Sequence, residues 1–437
     1  MTIGLNNNKM KDILGYNVVL LLSISILFFS CENKKELSIG DKSASEILGN
    51  SSYLAISYGG YREKTRDIQP TISELKEDLK ILSAMGVKIL RTYNLQLEQA
   101  PNILKAIREL KTEDSSFKMY VKLGAWIDCE NAWTSSPNHD KGDESANSIE
   151  IQKAISLANR YPDIVKIIAV GNEAMVHWAS SYYVQPSVIL KWVNHLQDLK
   201  NKNKLPKTLW ITSSDNFASW GGGDSSYHTK DLTALINAVD YVSMHTYAFH
   251  DTHYNSSFWK LREKDKKQFS DFDLIEKSME NVYLHAVSQY NSVKNYIDSL
   301  GINKPIHIGE LGWATVSSDL YGKNGTHAAD EFKQAIYYKR MREWTNKEEI
   351  SCFYFEAFNE HWKDGNPNGS ENNFGLFTVD GKAKYALWDS VDKGVFKGLT
   401  RNGNFIKKTY NGVLENLQKD VLIPAETKSK LEISENN

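Results

Sequence analysis

From Tyr53 onward, short runs of β-branched and aromatic residues alternate with segments whose apolar positions recur at helical spacing. That alternation predicts parallel strands, each followed by a helix that covers the sheet. Eight units are present, with strands over Tyr53 to Tyr58, Val87 to Tyr93, Phe117 to Ala125, Val165 to Val170, Thr208 to Ser213, Tyr241 to His245, Ile306 to Ile308 and Cys352 to Phe355. Helices fill the gaps: Ser73 to Met85 is closed by Gly86, and Asp330 to Trp344 opens on its own acidic cap. Eight parallel strands close into a (β/α)8 barrel, because closure removes both sheet edges and the helices form an outer ring. An open doubly wound sheet is the alternative, but no glycine-rich phosphate turn follows the first strand. The pattern therefore predicts one catalytic barrel over residues 53–418, a polar linker over 31–52 and a polar tail over 419–437. A polar and aromatic insertion from His250 to Glu280 follows strand six and is expected over the barrel mouth.

The first 30 residues have a different pattern. Lys9 and Lys11 precede an apolar run from Val18 to Phe29, which is shorter than the roughly 20 residues a membrane-spanning helix needs and suits a signal peptide. Ser30 and Cys31 follow, then the polar stretch Glu32 to Glu36, which resembles the site at which bacterial lipoproteins are cut and acylated on cysteine. The expectation is an exported protein, anchored to the outer membrane through Cys31, at the cell surface or in the periplasm. Ordinary signal-peptidase cleavage nearby, or a start at Met10, are the alternatives. The two other cysteines, Cys129 and Cys352, fall at opposite ends of their strands, so neither a disulfide nor a cysteine metal site is expected.

Composition narrows the partner. The 437 residues carry a net charge of −2, with acidic and basic residues interspersed, which excludes the single-sign field that draws in nucleic acid or an anionic bilayer. Eleven Trp and 22 Tyr supply flat amphipathic faces of the kind that stack on sugars, although many will simply fill the core. A neutral ligand such as a polysaccharide is favoured, with the chain acting as a monomer. His250, Asp251 and His253 have metal-ligand chemistry but no matching spacing, so no metal or other cofactor is expected.

Barrel chemistry sits where strands end at the C-terminal face. Strand four runs into Val170-Gly171-Asn172-Glu173, and strand seven into Gly309-Glu310-Leu311-Gly312-Trp313. These ends lie across the barrel mouth from each other. Retaining glycoside hydrolysis needs two carboxyl groups about 5 to 5.5 Å apart, one protonated and one ionised, and this pair can supply them. A lone glutamate at a strand end is as readily a salt bridge to a loop.

At these residues a resemblance becomes specific. The Asn-Glu pair after strand four and the Glu after strand seven resemble clan A of the glycoside hydrolases, and further detail resembles family 17, the β-1,3-glucanases and glucan-transferring relatives. That family has Glu-Thr-Gly-Trp where this chain has Glu310-Leu311-Gly312-Trp313, and Phe-Glu-Ala-Phe-Asp-Glu-x-Trp-Lys where it has Phe355-Glu356-Ala357-Phe358-Asn359-Glu360-His361-Trp362-Lys363. Glu371-Asn372-Asn373-Phe374-Gly375-Leu376-Phe377 continues the match, which spans Tyr53 to about Trp388.

The resemblance implies a general acid/base at Glu173 and a nucleophile at Glu310. Asn172 is then placed to donate to the sugar 2-hydroxyl, and Glu360, Lys363 and Glu371 to line the cleft, with a surface ion-pair network as their other reading. It also implies that Tyr247 hydrogen-bonds near the nucleophile and that Tyr93 contacts sugar. Asn94 stands where many relatives have Asp, and Tyr58, ending strand one, is a further candidate for substrate contact. Trp313 and Phe374 are candidate stacking platforms, with core packing the alternative for Phe374, and Trp126 and Trp133 candidates for an outer subsite. The implied activity is retaining, endo-acting hydrolysis of β-1,3-glucans such as laminarin. A β-1,3-glucanosyltransferase would use the same pair, whereas a surface glycan-binding lipoprotein with a dead site would need neither glutamate.

Overall fold

In the computed structural model, residues 42–425 are described; the expected signal segment and Cys31 lie outside them. Eight parallel strands form a closed barrel: β1 Leu54–Ser57, β2 Val87–Arg91, β3 Tyr120–Ala125, β4 Val165–Asn172, β5 Trp210–Asn216, β6 Val242–His245, β7 Ile306–Gly312 and β8 Cys352–Phe355. Each strand pairs with its sequence neighbours, and β1 closes on β8. The main outer helices are α1 Ile72–Ala84, α2 Gln99–Glu113, α3 Glu144–Arg160, α4 Pro186–Asn201, α5 Lys230–Ala238, α6 Asp271–Ser299 and α7 Glu331–Lys347. Their starts follow local chemistry. Thr71 and Glu74 form a reciprocal cap on α1, Asp143 and Asp330 cap α3 and α7, and Pro186 fills the first turn of α4.

Alternation along the strands sorts side chains between two layers. At the bottom of the barrel the inward residues are apolar: Ala55, Ile89, Tyr120, Ile167 and Phe353 form one buried cluster. Two residues further along, β1, β2 and β3 present Ser57, Arg91 and Lys122, all buried. The barrel interior thus turns polar toward the end where the chemistry sits. Residues of opposite phase pack outward against the helices in the larger core.

The structure revises three expectations about segments. The stretch over 31–52 is not a linker throughout, since Ala44, Ile47 and Leu48 join the apolar cluster at the bottom of the barrel. The stretch over 419–437 is not a free tail where it is described: the carbonyls of Leu422 and Ile423 meet Lys333 and His327 at 2.6 and 2.8 Å. The insertion after β6 is also shorter, because α6 takes over at Asp271. Among the described residues Cys129 and Cys352 are buried and not joined in a disulfide.

Candidate active site

Both glutamates are delivered by irregularities in the barrel strands. The register between β4 and β5 shifts after Ala169, where Gly171 adopts φ +81° and Glu173 itself φ +45°. A Cβ on Gly171 would press on Ala174 at 2.9 Å, so glycine allows the bulge. The Glu173 amide then donates to the Ser214 carbonyl at 2.9 Å, which fixes the carboxyl over the mouth. On β7 the register against β6 jumps between Ile308 and Glu310, and Gly309 absorbs the extra residue. Any side chain at Gly309 would collide with the Ser243 and Ser214 hydroxyls.

One carboxylate oxygen of Glu173, one of Glu310 and a ring nitrogen of His245 lie within 4.8 Å of one another. This is the short separation of a retaining pair, with no room for the intervening water that inversion requires. Their surroundings push the two groups apart in acidity. Burial raises the Glu173 carboxyl well above its ordinary value, helped by the negative charge of Glu310 and then of Asp215. Glu310 is also buried, which alone would raise it, but the Arg91 guanidinium and the Tyr247 hydroxyl bring it down to about 2. Arg91 forks, donating to Glu310 and to the Asn172 amide oxygen, while Tyr247 donates to Glu310 Oε2 at 2.6 Å. One carboxyl is held protonated and its neighbour ionised, which is the division of labour between acid and nucleophile.

Glu173, His245 and Glu310 also have the residue types of a metal site. The fit is poor, because Arg91 and Tyr247 already occupy Glu310 and the guanidinium charge opposes a cation. His250, Asp251 and His253 diverge: His250 meets Tyr321 at 3.0 Å, and Asp251 accepts from His285 and Gln289.

A cleft of about 1000 Å³ opens above the pair. Of the residues expected to touch substrate, Asn172, Tyr93, Asn94, Tyr247, Glu360, Lys363 and Glu371 line it. The Tyr93 hydroxyl is buried beneath the cleft floor beside Ser57, and the Arg91 guanidinium lies over its ring at 4.6 Å. Glu360 is already engaged, accepting from the Tyr61 amide and the Trp362 indole at 3.2 and 3.1 Å, with Lys363 3.3 Å away. Lys363 also pairs with Glu356. Glu371 faces His250 across 3.7 Å, and His250, Asp251 and Tyr254 bring the insertion to the cleft wall.

Three expected contacts are corrected. Tyr58 does not reach the cleft, because its phase on β1 points it outward, where its hydroxyl donates to Asp78 at 3.0 Å. Trp313 is wholly buried, with its indole donating to Ala328 at 2.8 Å and its ring packed on Phe249 and Tyr337. Phe374 is likewise buried and backs the cleft behind Tyr247 and Phe355. Trp126 and Trp133 flank Tyr182 apart from the central cleft.

Sequence reasoning missed Arg91, Lys122, Asp215, His245 and Trp178. Arg91 and His245 precede Tyr93 and Tyr247 by two, so alternation along the strand would have found them. Asp215 is buried and accepts from the Met175 amide at 2.7 Å, bracing the turn that carries Glu173. Trp178 is 63% exposed at the cleft rim, and no local pattern marks it.

A parallel eight-stranded barrel holding a protonated and an ionised carboxyl at its C-terminal mouth has the architecture of a glycoside hydrolase. Residues 55–375 match the BtgE/BtgC glycoside hydrolase domain, and the chain belongs to that family. An endo-laminarinase crystal structure from Formosa Hel1_33_131 is 63% identical, with a TM-score of 0.87, and the match covers 89% of this chain and 99% of that one. A glucan 1,3-beta-glucosidase of Arthroderma benhamiae is 26% identical over 334 residues, covering 74% of this chain and 86% of its own length. A family 17 β-1,3-glucanosyltransferase from Rhizomucor miehei, 18% identical with a TM-score of 0.52 over 77% of this chain and 97% of its own, shares the barrel.

Proposed function

We propose that this protein is a retaining endo-β-1,3-glucanase that cleaves laminarin-like glucans. The observation that carries the chemistry is the Glu173 and Glu310 pair, within 4.8 Å and driven to opposite protonation states. Glu310 attacks the anomeric carbon while Glu173 protonates the departing oxygen, leaving a covalent glucosyl ester. Esterification removes the charge that raises Glu173, which then accepts a proton from the incoming water. The substrate assignment rests on the 63% identity to the endo-laminarinase.

Product analysis of laminarin digests in oxygen-18 water tests the reading. Short oligosaccharides carrying label at the new reducing end are expected. Products longer than the substrate, with little label, would make the enzyme a glucanosyltransferase.

We further propose that the chain is exported as a monomer and tethered to the outer membrane by a lipid on Cys31. The short apolar run ending at Phe29, followed by Ser30, Cys31 and a polar stretch, supports this. Cys31→Ser is expected to leave the membrane pellet for the soluble fraction; retention in the pellet contradicts the anchor.

A further inference from the structure

Lys122 is a buried amine inside the barrel, with its side chain running under the catalytic pair. Its Nζ donates to the Ser214 hydroxyl at 3.0 Å and the Ser243 hydroxyl at 2.5 Å. Those hydroxyls are 2.9 Å apart, Ser214 Oγ is 2.8 Å from His245 Nε2, and His245 Nδ1 is 3.0 Å from Glu173 Oε1. An unbroken hydrogen-bonded chain therefore joins Lys122 to the acid/base. It is built tightly, since Gly309 leaves no space between β7 and the two serines.

The direction of that chain matters for catalysis. Ser214 Oγ has three polar neighbours and one proton to give. If Lys122 donates to both serines and Ser243 donates to Ser214, the Ser214 proton goes to His245 Nε2. Nδ1 then carries the imidazole proton and donates to Glu173 Oε1, which leaves the acid's own proton on Oε2, free for the leaving oxygen. In the reverse sense Nε2 donates to Ser214, and Glu173 spends its proton on Nδ1. With Lys122 protonated and donating to both serines, one serine proton then has no acceptor within this network.

We propose that Lys122 is a positioning residue that, through Ser214 and Ser243, holds His245 in the Nδ1–H form and so keeps the proton of Glu173 directed at substrate. Burial supports a neutral imidazole, lowering His245 well below its ordinary value. Lys122 is itself lowered by burial and by Arg91, and raised by Glu310. The groups facing it are Arg91 from β2, Glu310 from β7 and the Tyr241 and Phe353 rings, at 6.0 and 4.8 Å, while His307 also senses its charge. Lys122 touches neither substrate nor reacting atoms. This inference rests on the reading of Glu173 as the general acid.

The test compares wild type with Lys122→Met and Ser214→Ala, the second removing one hydroxyl where the first alters the barrel interior. Imidazole nitrogen NMR, with His245→Gln to assign the signal, reads the tautomer. Wild type is expected to show Nδ1–H and both variants a shift toward Nε2–H. On laminarin, kcat/KM should fall at least about tenfold and by no more than the 10²- to 10⁴-fold that general acid catalysis supplies. On an aryl laminarioligoside with a 2,4-dinitrophenolate leaving group, which needs no proton, the glycosylation rate should be unchanged. An unaltered tautomer in either folded variant, or equal losses on both substrates, overturns the proposal. If wild type fails to cleave β-1,3-glucan, the substrate reading fails, whereas the tautomer comparison still decides the role of Lys122.

Discussion

Glu310→Gln is expected to abolish turnover, lowering kcat on the order of 10⁶-fold, the scale on which loss of a covalent nucleophile acts in other hydrolases. The amide keeps the shape of the carboxylate but cannot form the ester. The variant should fold, although it leaves Arg91 buried beside a neutral partner, and breaking a buried ion pair costs about 3 to 5 kcal/mol. Thermal melts therefore belong beside the kinetics, to separate lost chemistry from lost structure. Glu310→Ala opens space where the carboxylate stood, and azide should enter from that side. With an activated aryl glucoside the expected product is the α-glucosyl azide. Residual activity within a hundredfold of wild type, in a folded variant, would remove Glu310 from the role of nucleophile.

Glu173→Ala is expected to cost about 10²- to 10⁴-fold on laminarin, whose leaving oxygen must be protonated. With a 2,4-dinitrophenyl leaving group the first step should survive and the second become limiting, so the covalent intermediate accumulates in a burst. Azide, needing no base, should then restore turnover and give the β-glucosyl azide. The same residue sets the pH response. Burial and the charge of Glu310 raise its folded value, so the acid form persists above the ordinary carboxyl range and kcat/KM declines as pH rises through the raised value. Glu310, lowered to about 2, stays ionised throughout that window. On laminarin, whose leaving oxygen needs that proton, the residual rate of Glu173→Ala should lose the basic limb, and an unchanged limb would assign it to another group.

The strand pattern was legible because a (β/α)8 barrel repeats one local rule eight times, and β8 was read to the residue over Cys352 to Phe355. β4 and β7 run further than their apolar stretches suggest, since Gly171 and Gly309 continue the strands through bulges that a hydrophobic pattern does not record. The carboxylates were legible for a different reason: each sits in a motif at a strand end, where barrel geometry leaves few other destinations. Tyr58 and Trp313 show where such reasoning stops. Position near a strand end says nothing about phase, and both side chains point outward into the layer between barrel and helices. Phase was also the unused signal for Arg91, Lys122 and His245. The docking of Ala44, Ile47 and Leu48 beneath the barrel was hidden, because a four-residue helix has too few apolar positions to show a period.

The central claim is double displacement by Glu173 and Glu310, and the anomeric configuration of the first product tests it most directly. Proton NMR of a laminarin digest, recorded before mutarotation equalises the anomers, should show the new reducing ends appearing as the β form, with the α form growing in later. Initial appearance of the α anomer would mean a single inverting displacement and would contradict the account.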